Sequence, residues 1–241
     1  SGRQAVSKFR IGEQVFAATE IGLGAYAEYK CIREDKTLAI KPVNATYEEA
    51  AAVPTGGLNA LHYLRKGGVQ RGEKVLINGA CGNIGSFAVQ LAKHYGAEVT
   101  GVDSTEKLDV LRAIGADHVI DYTREDFTRR GETYDVILDT VGKGSFSRSV
   151  RSLKQHGRYI LANPRMSSMI RGLWTSMTSS KKVIFQFASY RAEDLIYLKE
   201  LIEAGKLRSV IDRRYPLEQI AEAHRYVDKG LKKGNVVITL K

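Results

Sequence analysis

Apolar positions change their spacing along the chain. Between residues 9 and 43 they fall in short runs, "QVFAAT", "AYAEYKCI" and "LAIKPV", punctuated by Gly12, Gly22, Gly24 and Pro42. That pattern predicts β segments. Residues 46–66 carry a helical pattern that "VPTGG" is expected to interrupt, since Pro54 lacks an N–H and two glycines follow closely. From residue 74 onward, apolar runs alternate with amphipathic ones. "KVLING", "EVTGVD", "HVIDY", "YDVILDTVG", "GRYILA" and "KKVIFQF" predict strands. Helices are predicted over 83–95, with Phe87, Ala88, Leu91, Ala92 and Tyr95 at helical spacing, and over "TEKLDVLRAIGA", which Gly115 stops. Two more follow, over 145–154 and from about Glu193 to Ala204. In the tail, "PLEQIAEAHRYVDKG" predicts an amphipathic helix starting at Pro216, and "NVVITL" a strand that returns to the β-rich part.

Strands alternating with helices of this size imply an α/β fold, a doubly wound parallel sheet covered on both faces. The expected organisation is an α/β domain over 55–205 and a smaller β-rich domain split between 1–54 and 206–241.

The stretch "KVLINGACGNIGSFAVQLAK" places Gly79, Gly82 and Gly85 between a strand and a helix. Glycine in such a turn permits positive φ and lets backbone amides approach a ligand without a Cβ in the way. The helix start adds partial positive charge, which suits a diphosphate. The spelling is not G-x-G-x-x-G; placement carries the argument. Asp103 follows about twenty residues on, at the end of the next strand, where an acid bonds a ribose hydroxyl in a Rossmann dinucleotide site. Residues Gly79, Ala80, Cys81, Gly82, Asn83, Ile84 and Gly85 are therefore candidate cofactor contacts. Two other readings stand beside this one: tight helix–sheet packing with no ligand, and a methyltransferase with a similar turn.

Bulk composition narrows the classes. The 241 residues, 43% hydrophobic, suffice for one large or two small cores, and no run of apolar residues is long enough to span a membrane. The first ten residues show no export signal, and two distant cysteines, Cys31 and Cys81, fit a reduced, cytoplasmic setting. The net charge of +10 reads as a soluble basic surface first and a polyanionic cofactor second. Nucleic acid ranks last, because no basic run is interleaved with regular aromatics.

Seven segments together resemble the medium-chain dehydrogenase/reductase superfamily, in particular its zinc-independent quinone oxidoreductase and enone reductase branch. They are "FRIGEQVFA", "GAYAEY", "EEAAAVPTGGLNALHYL", "GEKVLINGACGNIGSFAVQLAK", "GADHVIDYTREDF", "YDVILDTVG" and "KKGNVVIT", in order over nearly the whole chain. The resemblance implies a GroES-like substrate domain, here lacking its front part, beside a Rossmann domain, with the active site between them. It implies hydride transfer from NADPH or NADH to a small electrophile such as a quinone or enone, without zinc. Where zinc-dependent relatives carry a cysteine before "TG", this chain has Ala51, and their cysteine-rich loop has no counterpart around "FAATEIGLGAYAEY". Thr55 and Asn59 fall at the catalytic position, as groups that align the nicotinamide; capping of a helix after the "PTGG" break is an equal reading. The rival function is a non-catalytic nucleotide-sensing or RNA-binding protein of the same fold.

Asp103 alone favours NAD(H), since a 2′-phosphate about 4 Å from a carboxylate costs about 4 kcal/mol at an effective dielectric near 20. Ser104, Thr105 and Lys107 can donate to that phosphate, and Tyr122 resembles a residue at the adenosine end in relatives, so NADP(H) is weakly favoured. Val141 and Gly142, then Leu161, Ala162 and Asn163, end strands and are expected to line the nicotinamide side. Asn235 sits where family members place a polar contact. Cys81, near a helix start, is expected to react with thiol reagents and to be protected by cofactor. Residues 164–182, with all three Met and the only Trp, read first as a cover over an apolar substrate, second as a subunit interface and a distant third as a membrane-surface helix. The resemblance also implies a homodimer paired along the edge strand "KKVIFQF".

Overall fold

The computed structural model describes residues 8–19 and 24–240; the expected punctuation at Gly22 lies outside them. Near the start, β1 (Val15–Ala17) pairs antiparallel with β2 (Leu38–Ile40). The strand expected over "AYAEYKCI" does not form. Residues 24–31 are exposed throughout, and among the described residues no strand pairs with them.

The next element corrects a second expectation. α1 (Tyr47–Gly67) runs through "VPTGG" without a break, with Pro54 inside it. An interior proline costs about 3 kcal/mol. Burial offsets it: Val53, Leu58, Ala60, Leu61 and Leu64 are all essentially inaccessible to solvent. Gly57 allows the close approach of Leu198, whose Cδ1 would lie 2.9 Å from a Cβ at that position. The helix starts on a capping box. The Thr46 Oγ1 accepts from the Glu49 N–H at 3.2 Å, and the Glu49 carboxylate accepts from the Thr46 N–H at 2.8 Å. Thr46→Ala is expected to lower stability by about 1 kcal/mol, read as a shift of the denaturation midpoint; no shift would show that the box contributes nothing.

Beyond α1 the predicted alternation holds. In order come β3 (Lys74–Asn78), α2 (Asn83–His94), β4 (Glu98–Asp103), α3 (Leu108–Ala113), β5 (His118–Asp121), β6 (Tyr134–Asp139), α4 (Phe146–Arg151), β7 (Leu153–Leu161), α5 (Met166–Thr178) and β8 (Lys182–Ile184). A 3₁₀ turn at Thr105–Lys107 replaces the first part of the expected second helix. The six strands form one sheet in the order β5-β4-β3-β6-β7-β8, every neighbouring pair parallel. Helices on both faces explain why Val75, Leu76, Ile77, Val136, Ile137 and Leu138 are all fully buried rather than alternating. The order turns back between β3 and β6.

The tail adds α6 (Ala192–Glu203), β9 (Ile211–Pro216), α7 (Ile220–Asp228) and β10 (Asn235–Thr239). "NVVITL" does form a strand, but β10 pairs parallel with β9 and not with β1 or β2. β9 escapes the pattern because "IDRRYP" is mostly polar, with only Tyr215 buried. The chain packs as two units: one runs to Leu58 and resumes at Ser189, the other is Asn59–Ala188 and holds the six-stranded sheet. In the first unit, the Asn44 side-chain amide donates to the Ile202 carbonyl at 3.0 Å and the Ser209 hydroxyl to the Glu49 carbonyl at 2.7 Å.

Candidate functional site

The glycine turn between β3 and α2 uses its three glycines for three different reasons. Gly79 has φ of +78°, and a Cβ there would meet Val141 Cγ2 at 2.5 Å. Gly85 packs the first turn of α2 onto the loop: a Cβ would overlap the Gly79 carbonyl oxygen and stand 2.7 Å from Ala80 Cα. Gly82 is different. Its φ is −75°, and the nearest atom to an added Cβ is the Gly79 oxygen at 3.2 Å. Neither backbone conformation nor a severe clash demands glycine there.

The amides divide in the same way. Gly79 and Ala80 donate to the Val102 carbonyl, Cys81 donates to Asp103 Oδ2, and Gly82 donates to the Gly79 carbonyl. The first bond of α2 runs from Ser86 N–H to the Gly82 carbonyl. That leaves the N–H groups of Asn83, Ile84 and Gly85 without an acceptor among the described residues, and no side chain caps them. The Asn83 Oδ1 beside them is buried and also without a partner. A diphosphate fits this set: three open donors at a helix start, in front of a position that lacks a Cβ.

Asp103 is 4% exposed and fully engaged. Its Oδ2 accepts the Cys81 N–H at 2.9 Å; its Oδ1 accepts the Ser104 N–H at 2.9 Å and pairs with Lys107 Nζ at 3.2 Å. The carboxylate ties the glycine turn to the end of β4. Lys107, itself buried, neutralises that carboxylate. Ser104 is half-buried, while Thr105 and Tyr122 are exposed around the same strand ends. Cys81 is wholly buried under the turn, so the expected reactivity toward thiol reagents requires the turn to open first.

At the carboxyl ends of β3, β6 and β7 lies a hydrogen-bonded network. Asp139 accepts the Val141 and Gly142 N–H groups at 2.9 Å each, the Asn78 side-chain amide at 3.1 Å and the Tyr159 hydroxyl at 2.9 Å. Thr140 Oγ1 donates to the Asn78 carbonyl at 2.9 Å, and the Asn163 side chain donates to the Thr140 carbonyl at 2.8 Å. Burial, then the nearby Asp139 charge, push the Tyr159 hydroxyl well above the usual tyrosine range. Val141 and Asn163 are exposed, Gly142 and Ala162 half-buried, and Leu161 buried in the sheet. Sequence reasoning named Val141, Gly142 and Asn163 but missed Asp139, Tyr159 and Asn78. The available signal was an acid closing the apolar run "VIL" at the end of "YDVILD".

Thr55 and Asn59 lie one turn apart on the same face of α1, Thr55 exposed and Asn59 half-buried. Because α1 starts at Tyr47, neither caps a helix. Asn235 belongs to the first unit; it is buried, and both its backbone N–H and its side-chain amide donate to the Val210 carbonyl. Residues 166–178 form α5, which exposes Met166, Ile170, Leu173, Trp174 and Met177 and borders a cavity of about 450 Å³ with Phe146 and Val150. Among the described residues, no group of three or more His, Cys, Asp or Glu offers a ligand set for zinc. No helix among them is long and apolar enough to cross a membrane.

A parallel sheet in this order, with a glycine turn and open amides where the order turns back, defines a doubly wound fold of the dinucleotide-binding class. Comparison with known proteins narrows the class. Residues 114–238 match the family described as zinc-binding dehydrogenase. The chain is 34% identical over 219 residues to a 2-methylene-furan-3-one reductase of Solanum lycopersicum, covering 89% of this chain and 52% of that protein. It is 31% identical to an NADPH-dependent alkenal/one oxidoreductase, chloroplastic, of Arabidopsis thaliana, covering 97% of this chain and 59% of the relative. The solved quinone oxidoreductase of Coxiella burnetii superposes with a TM-score of 0.89 at 30% identity, covering 98% of this chain and 74% of that one. The chain belongs to the zinc-binding dehydrogenase family, in the quinone oxidoreductase-like branch of the medium-chain dehydrogenase/reductase superfamily. It spans between half and three fifths of the length of the two plant relatives.

Proposed function

We propose that the chain is the greater part of a zinc-independent, NAD(P)H-dependent oxidoreductase that reduces a quinone, an enone or a similarly activated carbonyl or alkene. The observation that carries the reading is the set of three open amides at Asn83, Ile84 and Gly85, on the ligand side of a parallel sheet. Bound there, a dihydronicotinamide dinucleotide supplies the hydride. The residues of the chain bind and orient: the amides hold the diphosphate, and Thr55 and Asn59 act as positioning residues. Such alignment supplies much of the rate in reactions of this type. The unit that runs to Leu58 and resumes at Ser189 reads as the remaining part of a GroES-like substrate domain.

The preference proposed is for NADPH. The Asp103–Lys107 pair is net neutral, which removes most of the repulsion between Asp103 and a 2′-phosphate. Ser104, Thr105 and Tyr122 remain as polar contacts. The Arabidopsis relative is named for NADPH dependence. Titration of the chain with NADPH and NADH, followed by nicotinamide fluorescence, is expected to show both binding, NADPH the tighter by up to about tenfold, or 1.4 kcal/mol. Clearly tighter NADH defeats the preference; binding of neither defeats the reading. The reaction itself is tested by NADPH oxidation against a panel of quinones, enones and aldehydes.

A further inference from the structure

Asp139 differs from the other buried carboxylates of its unit. Asp103 pairs with Lys107 at 3.2 Å and Asp121 with Arg124 at 3.5 Å; the half-buried Asp135 and Glu73 pair with Lys154 at 2.7 Å and Arg158 at 2.6 Å. Asp139 is 2% exposed and has no cationic partner among the described residues. Its donors are two backbone amides, one side-chain amide and one hydroxyl, all neutral. A charge held by dipoles in a poorly solvated place keeps most of its field. The two amides it fixes belong to Val141 and Gly142, where the chain emerges from the sheet at its ligand side, and Val141 is 42% exposed.

We propose that Asp139 is a positioning residue that also acts through its charge. Its carboxylate locks the Val141–Gly142 turn, and its uncompensated charge favours the cationic, oxidised nicotinamide over the neutral, reduced one. The inference rests on the nicotinamide reading above. An anion so placed lowers the energy of the state reached when a hydride has left the ring, which is the direction of electrophile reduction. A merely structural acid would shape the turn and affect both ring forms alike.

The two forms differ by one positive charge on the ring, so the ratio of their affinities reads the field directly, without turnover. Asp139→Asn preserves size and still accepts both turn amides. Dissociation constants of NADP⁺ and NADPH are measured by calorimetry on wild type and variant. In Asp139→Asn the ratio Kd(NADP⁺)/Kd(NADPH) is expected to rise about tenfold, the effect of unit charges about 10 Å apart at an effective dielectric near 20. Tyr159→Phe keeps the carboxylate but removes one compensating donor, so the ratio is expected to fall about threefold, or 0.65 kcal/mol. Should Asp139→Asn not fold, Tyr159→Phe carries the test, and an unchanged or rising ratio there overturns the proposal. Equal weakening of both forms in Asp139→Asn overturns it too, while leaving the cofactor reading intact. Wild type that binds neither form overturns both.

Discussion

Gly85→Ala is expected to abolish dinucleotide binding and to lower the thermal midpoint by about 10 °C. The added methyl would overlap the Gly79 carbonyl oxygen and stand 2.7 Å from Ala80 Cα and 2.8 Å from the Ala80 carbonyl carbon. All three are main-chain atoms, so no rotamer change relieves the overlap; α2 must move away from β3. Overpacking of this kind costs about 3 kcal/mol, and a protein of this size loses about 2–4 °C per kcal/mol. Moving the helix also carries the amides of Asn83, Ile84 and Gly85 off the proposed diphosphate position. Gly82→Ala is the control. Its new methyl meets one atom at 3.2 Å, so the fold is expected to stand while cofactor affinity falls. Thermal melts with and without NADPH separate the two effects, and a Gly85→Ala protein that melts like wild type removes the packing argument.

Asp103→Leu is expected to destabilise by about 4 kcal/mol, chiefly by leaving the buried Lys107 ammonium without its carboxylate. It also orphans the N–H groups of Cys81 and Ser104, each worth about 1–3 kcal/mol when buried and unpaired. The variant separates the two roles available to this acid. If Asp103 served a ribose hydroxyl alone, its loss would weaken cofactor binding and leave the melt unchanged. The observed partners say the reverse: stability falls first. Adding Lys107→Met should restore part of the loss, because the double variant no longer buries an uncompensated ammonium. Additive losses across the double-mutant cycle, measured by denaturant unfolding, would show that the pair is not coupled.

The sheet was legible because parallel strands covered on both faces carry apolar runs at their centres, and "VLI" in "KVLIN" and "VIL" in "YDVILD" are such runs. The glycine turn was legible from its place between strand and helix. What the residue pattern hides is competition between local signals and burial. Pro54 and the glycines after it are local breakers, yet α1 continues because the apolar face around them is buried. "AYAEYKCI" alternates like a strand, yet among the described residues no strand pairs with it. β9 reads as loop because its side chains are charged, and only the backbone of β10 makes it a strand. At the site, position located Asp103 and Val141, but partners decide what they do. Asp103 holds the turn rather than facing outward, and Asp139 is visible only once the amides of residues 141 and 142 are seen to converge on it.

The unit made from both chain ends has a consequence for biosynthesis. Its early half leaves the ribosome well before Ser189 is made. At roughly 5–20 residues per second, the intervening 59–188 stretch takes on the order of ten seconds to synthesise. In that interval the surface around Gly57 that later receives Leu198, and the Asn44 amide that later meets Ile202, are uncovered. The six-stranded sheet can be completed first, and the nascent early half is the part that has most need of a chaperone.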